Sequence, residues 1–327
     1  MVIIGESIAN VTKYVKGNHV FIISDGNVAN YHRTAFPKSP MYIIEPGEKS
    51  KNLDEVANIY RWLLQNGADR NSFILGIGGG VVCDLAGFVA STYMRGIDFG
   101  FVATSLLAQV DASVGGKNGV DLDGYKNIVG TFNQPKFVIC DISMLKTLPA
   151  EEFSNGFAEI IKHTLIADAE MFRFIEENIE RIKSYESSVI EQLVIHSVQT
   201  KAKIVQTDER EKGERKKLNL GHTWGHAVEK ITGFSHGQSV SIGLEFAARF
   251  SIAKGLMQNR DYMRIMNLIR ELELPICIKV SPSRIFDAML KDKKKEDSCI
   301  HFILMDGIGN VVVEAIPVDE LRVFVEG

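Results

Sequence analysis

Short apolar runs alternate with longer helical patterns from the start of the chain to about residue 145. In the helical segment Leu53–Gln65, for example, apolar residues recur at the spacing of one helix face. Parallel strands need crossover connections, and helices between successive strands supply them. The alternation therefore predicts an α/β domain with a doubly wound parallel sheet. Its predicted strands are Val20–Ser24, Met41–Glu45, Phe73–Ile77, Phe99–Ala103 and Phe137–Cys140.

A proline marks the end of this pattern. Pro149 is suited to a helix start, and the residues from there to about 273 have helical periodicity. This region includes long amphipathic segments such as Met171–Lys183 and Ser188–Val205. Two short apolar runs, His301–Met305 and Val311–Val313, flank a glycine turn and predict a small hairpin. The second half is therefore predicted to be mainly α-helical.

Length and composition restrict the class of protein. A chain of 327 residues is longer than one hydrophobic core usually supports, so we expect two domains, 1–148 and 149–327. The binding site is expected in the cleft between them. With 37 basic and 41 acidic residues, the net charge of −4 argues against a nucleic-acid partner. No apolar run is long enough to span a membrane, and the first residues lack the basic region of a secretory signal. The scattered cysteines form no CxxC pair and indicate a reducing, cytoplasmic location: Cys83, Cys140, Cys277 and Cys299.

A glycine-rich turn follows the third predicted strand. Three glycines, Gly78–Gly80, lead into a helix, where a backbone can approach a ligand closely and free N–H groups can meet a pyrophosphate. The spacing is not GxGxxG, and a tight turn without any ligand is the alternative. Asp25, Asn27 and Glu45 follow the first two strands, where an adenosine ribose is usually bound, although each could instead be a cap or turn residue. Together these residues favour a nucleotide.

A histidine cluster lies in the second half. His222 and His226 are four residues apart on a predicted helix, His236 follows, and Glu159 lies in an earlier segment. Histidine and carboxylate ligands with one open position suit a catalytic zinc ion, whereas surface or core histidines are the alternative. Spacing leaves open which three of these residues would bind it.

Several basic residues lie beside these motifs. Each alone is usually a solvated surface charge, but several converging on one cleft would hold phosphate and carboxylate groups. They are Lys117, Lys126, Lys162, Lys201, Arg215 and the run Lys293–Lys295.

Six blocks, in order, closely resemble the 3-dehydroquinate synthase family of the shikimate pathway, within the sugar-phosphate cyclases and related to metal-dependent glycerol dehydrogenases. The blocks are GGGVVCDLAGFVASTYMRG, SLLAQVDASVGGKNGVD, YKNIVGTFNQP, LPAEEFSNGFAEIIKH, DEREKGERKKLNLGHTWGHAVE and HGQSVSIG. The resemblance implies a Rossmann-like NAD-binding domain and an α-helical domain for metal and substrate. It also implies conversion of 3-deoxy-D-arabino-heptulosonate 7-phosphate to 3-dehydroquinate and phosphate, with NAD and Zn²⁺ or Co²⁺.

Residue roles follow from the same resemblance. The metal ligands would be Glu159, His222 and His236, with His226 on the substrate side, and Arg95 would reach a phosphate in the partner subunit of a homodimer. The implied catalytic residues are Lys117, Lys162, Lys201, Arg215, Asn219 and His226. Further substrate contacts are Asp111, Lys126, Asn127, Arg95 and Lys293. The implied NAD contacts are Asp25, Asn27, Glu45, Lys49, Gly79, Gly80, Asp84, Thr104, Ser105, Thr147, Leu148 and Glu152.

Some positions depart from the family pattern without removing an implied metal or substrate residue: Cys83, Ala103, Ser105, Tyr125 and Gln238. The nearest alternatives are a cyclase of glucose 6-phosphate or sedoheptulose 7-phosphate, a metal-dependent polyol dehydrogenase, and a non-enzymatic relative. The set Lys162, Lys201, Arg215 and Asn219 favours a substrate that carries a carboxylate.

Overall fold

The structure, a computed structural model, describes residues 1–17, 19–292 and 299–326. The predicted substrate contact Lys293 lies outside the described residues. The chain forms two compact units, one of residues 1–153 and 190–198, the other of residues 154–189 and 199–327. In the described part of the chain, every helix is too short or too polar to cross a membrane.

The first unit contains a six-stranded parallel sheet. Its strands are β1 (Val2–Ile4), β2 (Val20–Asp25), β3 (Met41–Ile44), β4 (Phe73–Gly78), β5 (Asp98–Ala103) and β8 (Val138–Cys140). They lie side by side in the order β1-β8-β5-β4-β2-β3. Between them run helices α1 (Gly26–His32), α2 (Leu53–Gln65) and α3 (Gly80–Thr92). The predicted parallel, doubly wound α/β fold and its five strands are confirmed. The edge strand β1 was not predicted.

Side chains of the sheet form the core of this unit, because both faces of a doubly wound parallel sheet are covered and its strands are apolar throughout. In β4 every residue is buried. The cluster consists of Ile8, Val11, Ile22, Phe36, Phe73, Leu75, Ile77, Val102, Phe137, Ile139 and Met144.

A separate antiparallel hairpin, β6 (Lys117–Leu122) and β7 (Tyr125–Phe132), also belongs to the first unit. It packs on α3, where the missing side chain of Gly87 leaves room for Asn118. The sequence pattern did not predict this hairpin. A π-helical turn, Ala108–Ala112, precedes it. Within the described residues, 3₁₀ turns are formed by Ile8–Lys13, Arg33–Ala35, Glu48–Ser50, Tyr93–Arg95, Ile142–Thr147 and Glu214–Asn219.

Helices make up most of the second half, as predicted. They are α4 (Ala150–Ala167), α5 (Ala169–Glu177), α6 (Ile179–Lys183), α7 (Ser187–Thr207), α8 (His222–Thr232), α9 (His236–Ala253), α10 (Asn259–Glu271), α11 (Pro282–Asp292) and α12 (Val318–Glu326). The predicted hairpin is also present, as β9 (Cys299–Met305) paired antiparallel with β10 (Val311–Pro317). The predicted helical segment Met171–Lys183 is helical but is divided into two helices at Asn178, whose side chain donates a hydrogen bond to the carbonyl of Phe174.

Aromatic side chains hold α8, α9, β9 and α12 together in the second unit. The indole of Trp224 stacks on Phe246 with ring centroids 3.9 Å apart, and Phe246 contacts Phe302 at 5.8 Å. Phe250 lies 4.6 Å from Phe324 of α12. Helices α8 and α9, which carry the predicted histidines, are therefore rigidly packed on each other.

Candidate active site

The glycine-rich turn joins β4 to α3 in the first unit. Gly79 precedes the helix with an extended backbone, and no described side chain caps the first turn of α3. A Cβ added at Gly79 would lie 3.3 Å from the Ser105 hydroxyl oxygen, and one at Gly80 would lie 3.3 Å from the Ala112 Cβ. Both positions thus have room for glycine but little for a side chain. The amides of this helix start are arranged to bind an anion.

The carboxyl edge of the parallel sheet carries most of the nucleotide residues predicted above. Asp25 ends β2, Glu45 follows β3, and Thr104 follows β5. Because parallel strands end at the same edge, these positions belong to one side of the sheet, which is the usual binding edge in such folds. The Asp25 carboxylate also caps α1, accepting bonds from the amides of Asn27 and Val28. Its cap role and its proposed cofactor role are compatible.

A buried ion pair lies beside the glycine turn. The Lys51 ammonium is 2.5 Å from the Asp84 carboxylate, and the Lys51 side chain is only 5% exposed. Burial alone would lower the Lys51 pKa, but the carboxylates of Asp84 and Glu48 raise it above the ordinary lysine value. Glu48 also lies 3.6 Å from the Lys126 ammonium. Sequence reasoning missed Lys51, because a single lysine in a polar segment resembles a surface residue.

The other predicted cofactor contacts in this unit occupy turns and helix starts. The Ser105 hydroxyl accepts a bond from the Ala108 amide, and the Thr147 hydroxyl lies 2.7 Å from a ring nitrogen of His32. The remaining members are Lys49 in the 3₁₀ turn after β3, Leu148 before α4 and Glu152 in the first turn of α4.

Four predicted substrate residues of the first unit lie in the π-helical turn and in the β6–β7 hairpin. Asp111 belongs to the π-helical turn, and Lys117 begins β6. Lys126 and Asn127 are exposed on β7, and Asn127 has a positive φ of 52° and donates its amide N–H to Asp121. Backbone strain of this kind concentrates at functional sites.

Arg95 lies in a strained turn. Met94 and Arg95 both have positive φ values, 48° and 72°, and both side chains are exposed. Two consecutive non-glycine residues in this region cost about 1–3 kcal/mol each and persist only where the surroundings impose them. The turn therefore presents the Arg95 guanidinium to solvent in one imposed backbone conformation.

A candidate metal centre forms in the second unit from three helices. Glu159 of α4, His222 at the start of α8 and His236 at the start of α9 place ligand atoms within 4.8 Å of one another. A Glu159 oxygen is 3.5 Å from Nε2 of His222 and 3.0 Å from Nε2 of His236. Donor atoms of one tetrahedral zinc ion are about 3.3 Å apart. The residues present therefore fit a divalent cation.

The state of His222 also suits a metal ligand. Its Nδ1 lies 3.1 Å from the carbonyl of Leu220, so that an N–H on this nitrogen orients the ring and leaves Nε2 for a metal. Burial lowers the His222 pKa well below the ordinary value, and the nearby Lys162 ammonium lowers it further. Neutral imidazole is the form that binds metals.

Three predicted cationic residues of the second unit are buried, and one of them contacts a proposed metal ligand. Lys162 makes a close ion pair with Glu159, and its side chain is 2% exposed. The ring of His226 lies 5.2 Å from that of His222, which confirms that the two share a helix face. Lys201 and Arg215 are also buried.

Glu211 was missed by the sequence reading. Its carboxylate accepts a hydrogen bond from the Asn219 amide, and its φ is +60°. Arg215, in the same segment, donates to the Glu209 carbonyl at 2.5 Å. Glu211 lies in a run of charged residues, so the sequence alone does not distinguish it from its neighbours. The folded chain shows that it orients Asn219, a predicted substrate contact.

The sequence matches two family models and curated relatives of one enzyme family. The 3-dehydroquinate synthase N-terminal model matches residues 41–155, and the 3-dehydroquinate synthase C-terminal model matches residues 156–295. A 3-dehydroquinate synthase of Alkaliphilus metalliredigens is 41% identical over 323 residues, covering 95% of this chain and 91% of the relative.

Solved structures of two cyclases have the same fold. A 2-epi-5-epi-valiolone synthase of Streptomyces hygroscopicus with NAD⁺ and Zn²⁺ bound superposes with a TM-score of 0.91 at 24% identity, covering 99% of this chain and 94% of that one. A 2-deoxy-scyllo-inosose synthase complexed with carbaglucose-6-phosphate, NAD⁺ and Co²⁺ gives 0.88 at 26% identity, covering 100% and 96%. Since both family models match in order across most of the sequence, the chain belongs to the 3-dehydroquinate synthase family.

Proposed function

We propose that this chain converts 3-deoxy-D-arabino-heptulosonate 7-phosphate to 3-dehydroquinate and orthophosphate, the 3-dehydroquinate synthase reaction of the shikimate pathway. It is a phosphate-eliminating carbon–oxygen lyase that depends on NAD⁺ and on one Zn²⁺ or Co²⁺. The observation that carries the proposal is the convergence of Glu159, His222 and His236 in a chain of this family.

The two cofactors have separate sites in this proposal. Glu159, His222 and His236 hold the cation, and the glycine turn with the carboxyl edge of the parallel sheet holds NAD⁺. Bound together, the cofactors supply a reversible hydride acceptor and Lewis-acid polarisation at the carbon that is oxidised. For the domains we keep the boundaries predicted from the sequence: residues 1–148 form the NAD⁺-binding domain, which also contributes some substrate contacts, and residues 149–327 form the metal- and substrate-binding domain.

Cationic side chains bind the sugar acid phosphate. Lys162, Lys201 and Arg215 are buried cations, and such groups make strong charge-assisted hydrogen bonds to carboxylate and phosphate oxygens. Asn219, oriented by Glu211, adds an amide contact. Lys117, Lys126 and Asp111 contribute from the first unit, and Asn127 and Lys293 complete the proposed substrate contacts.

The reaction needs orientation more than it needs a strong base. The C5 hydroxyl is oxidised, phosphate leaves by elimination, the carbonyl is reduced again and the opened ring closes by an aldol step. We assign proton transfer near C5 to His226, because histidine is the usual residue for this task. The substrate phosphate accepts the proton removed during its own elimination, so the cations mainly hold substrate and stabilise developing charge.

The assembly and the location belong to the proposal as well. A homodimer is supported by the strained, exposed turn that presents Arg95, which would reach a phosphate bound in the partner subunit. A cytoplasmic location is supported by the free thiols of Cys83, Cys140 and Cys277.

Phosphate release from purified protein tests the proposal. The protein is mixed with the heptulosonate phosphate, NAD⁺ and Zn²⁺, and orthophosphate is measured against a His222→Ala variant. We expect release with this substrate and little with glucose 6-phosphate or sedoheptulose 7-phosphate, since neither carries a carboxylate for the buried cations. Release at the level of the His222→Ala variant would contradict the synthase activity, and preference for either other sugar phosphate would reassign the substrate.

A further inference from the structure

One hydrogen bond joins the helices that carry two of the proposed metal ligands. Ser235 immediately precedes α9, and its hydroxyl donates to the Asn155 side-chain oxygen at 2.5 Å. Asn155 lies on α4 and is 3% exposed. It precedes Glu159 by one helical turn, so the two share a helix face. The bond therefore links the residue before His236 to the residue one turn before Glu159.

Ser235 also caps α9. Its hydroxyl oxygen accepts from the Gln238 amide at 3.4 Å, and the Gln238 side-chain oxygen accepts from the Ser235 amide at 3.1 Å. This capping box fixes the first turn of α9, which begins with the ligand His236. Gln238, one of the departures from the family pattern, thus has a structural role, because its amide oxygen accepts this bond.

The backbones of α4 and α9 approach each other closely at this point. A Cβ added at Gly237 would overlap the backbone of Asn155. A metal site tolerates ligand displacements of only about 0.2 Å. The relative position of the two helix backbones is therefore the quantity that decides whether Glu159 and His236 can share one ion.

We propose that Asn155 and Ser235 are positioning residues of the metal centre, whose hydrogen bond holds His236 at the correct distance from Glu159. The inference rests on the metal binding stated above as proposed function. Asn155 and Ser235 act through the two ligands and do not themselves touch the ion. Losing such an outer contact costs about 10–100-fold in metal affinity.

The test measures Zn²⁺ affinity by competition with a chromophoric chelator, without substrate or NAD⁺. We expect Asn155→Ala to bind Zn²⁺ about 10–100-fold more weakly than the parent protein, while its capping box stays intact. Asn155→Asp keeps an oxygen that accepts from the Ser235 hydroxyl and should restore affinity close to the parent value. If Asn155→Ala fails to fold, Ser235→Gly removes the same bond, and glycine is itself well accepted at a helix N-cap.

Ser251→Ala is the matched control. Ser251 is a fully buried serine of α9 that donates to the Ala247 carbonyl and accepts from the Met305 amide. It lies fifteen residues after His236, about 22 Å along the helix. Its loss should lower the melting temperature and leave Zn²⁺ affinity unchanged.

The visible spectrum of the Co²⁺ form gives an independent readout of ligand geometry. We expect the ligand-field bands to change in Asn155→Ala and to stay the same in Ser251→Ala. Parent-like affinity and spectrum in Asn155→Ala would overturn the positioning role while leaving the metal centre standing. Failure of the parent protein to bind Zn²⁺ more tightly than a His222→Ala variant would instead overturn the proposed metal centre, and the positioning role with it.

Discussion

Replacing Lys51 by methionine removes one partner of the buried ion pair with Asp84 but keeps most of the side-chain volume. The two groups are 2.5 Å apart, with side-chain exposures of 5% for Lys51 and 18% for Asp84. Removing one partner of a buried pair costs about 3–5 kcal/mol, because the remaining charge loses its closest counter-charge. Since water still reaches part of Asp84, we expect the lower end, about 3 kcal/mol of unfolding free energy.

The assay uses the position of the two tryptophans, Trp62 on α2 and Trp224 on α8. In a Trp224→Phe background, urea unfolding followed by fluorescence reports on the first unit through Trp62. Lys136→Met is the matched control, since the Lys136–Asp98 pair is more than half exposed on both sides. Its loss should cost no more than about 1 kcal/mol.

A double variant separates the charge effect from packing. Lys51→Met combined with Asp84→Leu removes both charges, and apolar replacement of a buried pair is often neutral or stabilising. We expect the double variant to recover most of the lost stability but to bind NAD⁺ weakly, because Asp84 is a proposed cofactor contact. If the free energy of unfolding of Lys51→Met lies within about 0.5 kcal/mol of that of Lys136→Met, the reasoning is refuted, since the buried pair would then behave like a surface pair.

Three further outcomes are expected. Gly237→Ala should weaken Zn²⁺ binding at least ~10-fold in chelator competition, because its Cβ would push α9 away from Asn155; unchanged affinity would show that the helices adjust freely. Removing metal with a chelator should abolish phosphate release, and Zn²⁺ or Co²⁺ should restore it; activity that survives chelation would exclude a metal role. A thiol reagent at about pH 8 should label exposed Cys277 first, because burial raises the pKa of Cys140 to about 12 and that of Cys83 well above its ordinary value. Peptide mass mapping checks this order, and early labelling of Cys83 would contradict the buried placement.

The parallel sheet was predictable because its strands are buried on both faces and read as continuous apolar runs. Segments such as Phe73–Gly78 contain little but apolar residues and glycine. The three-residue edge strand β1 was not predicted, because its partner strand β8 lies more than a hundred residues away in sequence, with Val2 opposite Val138. The hairpin β6–β7 was not predicted for a different reason. Several of its apolar residues are exposed, Ile128 and Phe132 among them, so the alternation of apolar and polar residues does not show which face is buried.

The metal centre was only partly visible in the sequence. The spacing of His222 and His226 placed both on one helix face, and the rings are indeed neighbours. Periodicity within one helix cannot bring Glu159 to them, since that contact depends on how α4, α8 and α9 pack. Local patterns therefore indicated the ligand types, the family resemblance selected three of them, and tertiary packing brings those three together.

The ratio of phosphate released to NADH accumulated tests the central claim most directly. A synthase oxidises and then re-reduces its substrate, so each NAD⁺ serves many turnovers. We predict that orthophosphate and 3-dehydroquinate form in equal amounts, in large excess over enzyme and NAD⁺, without net NADH. Accumulation of NADH in step with substrate consumption, without phosphate release, would contradict the account and indicate a dehydrogenase.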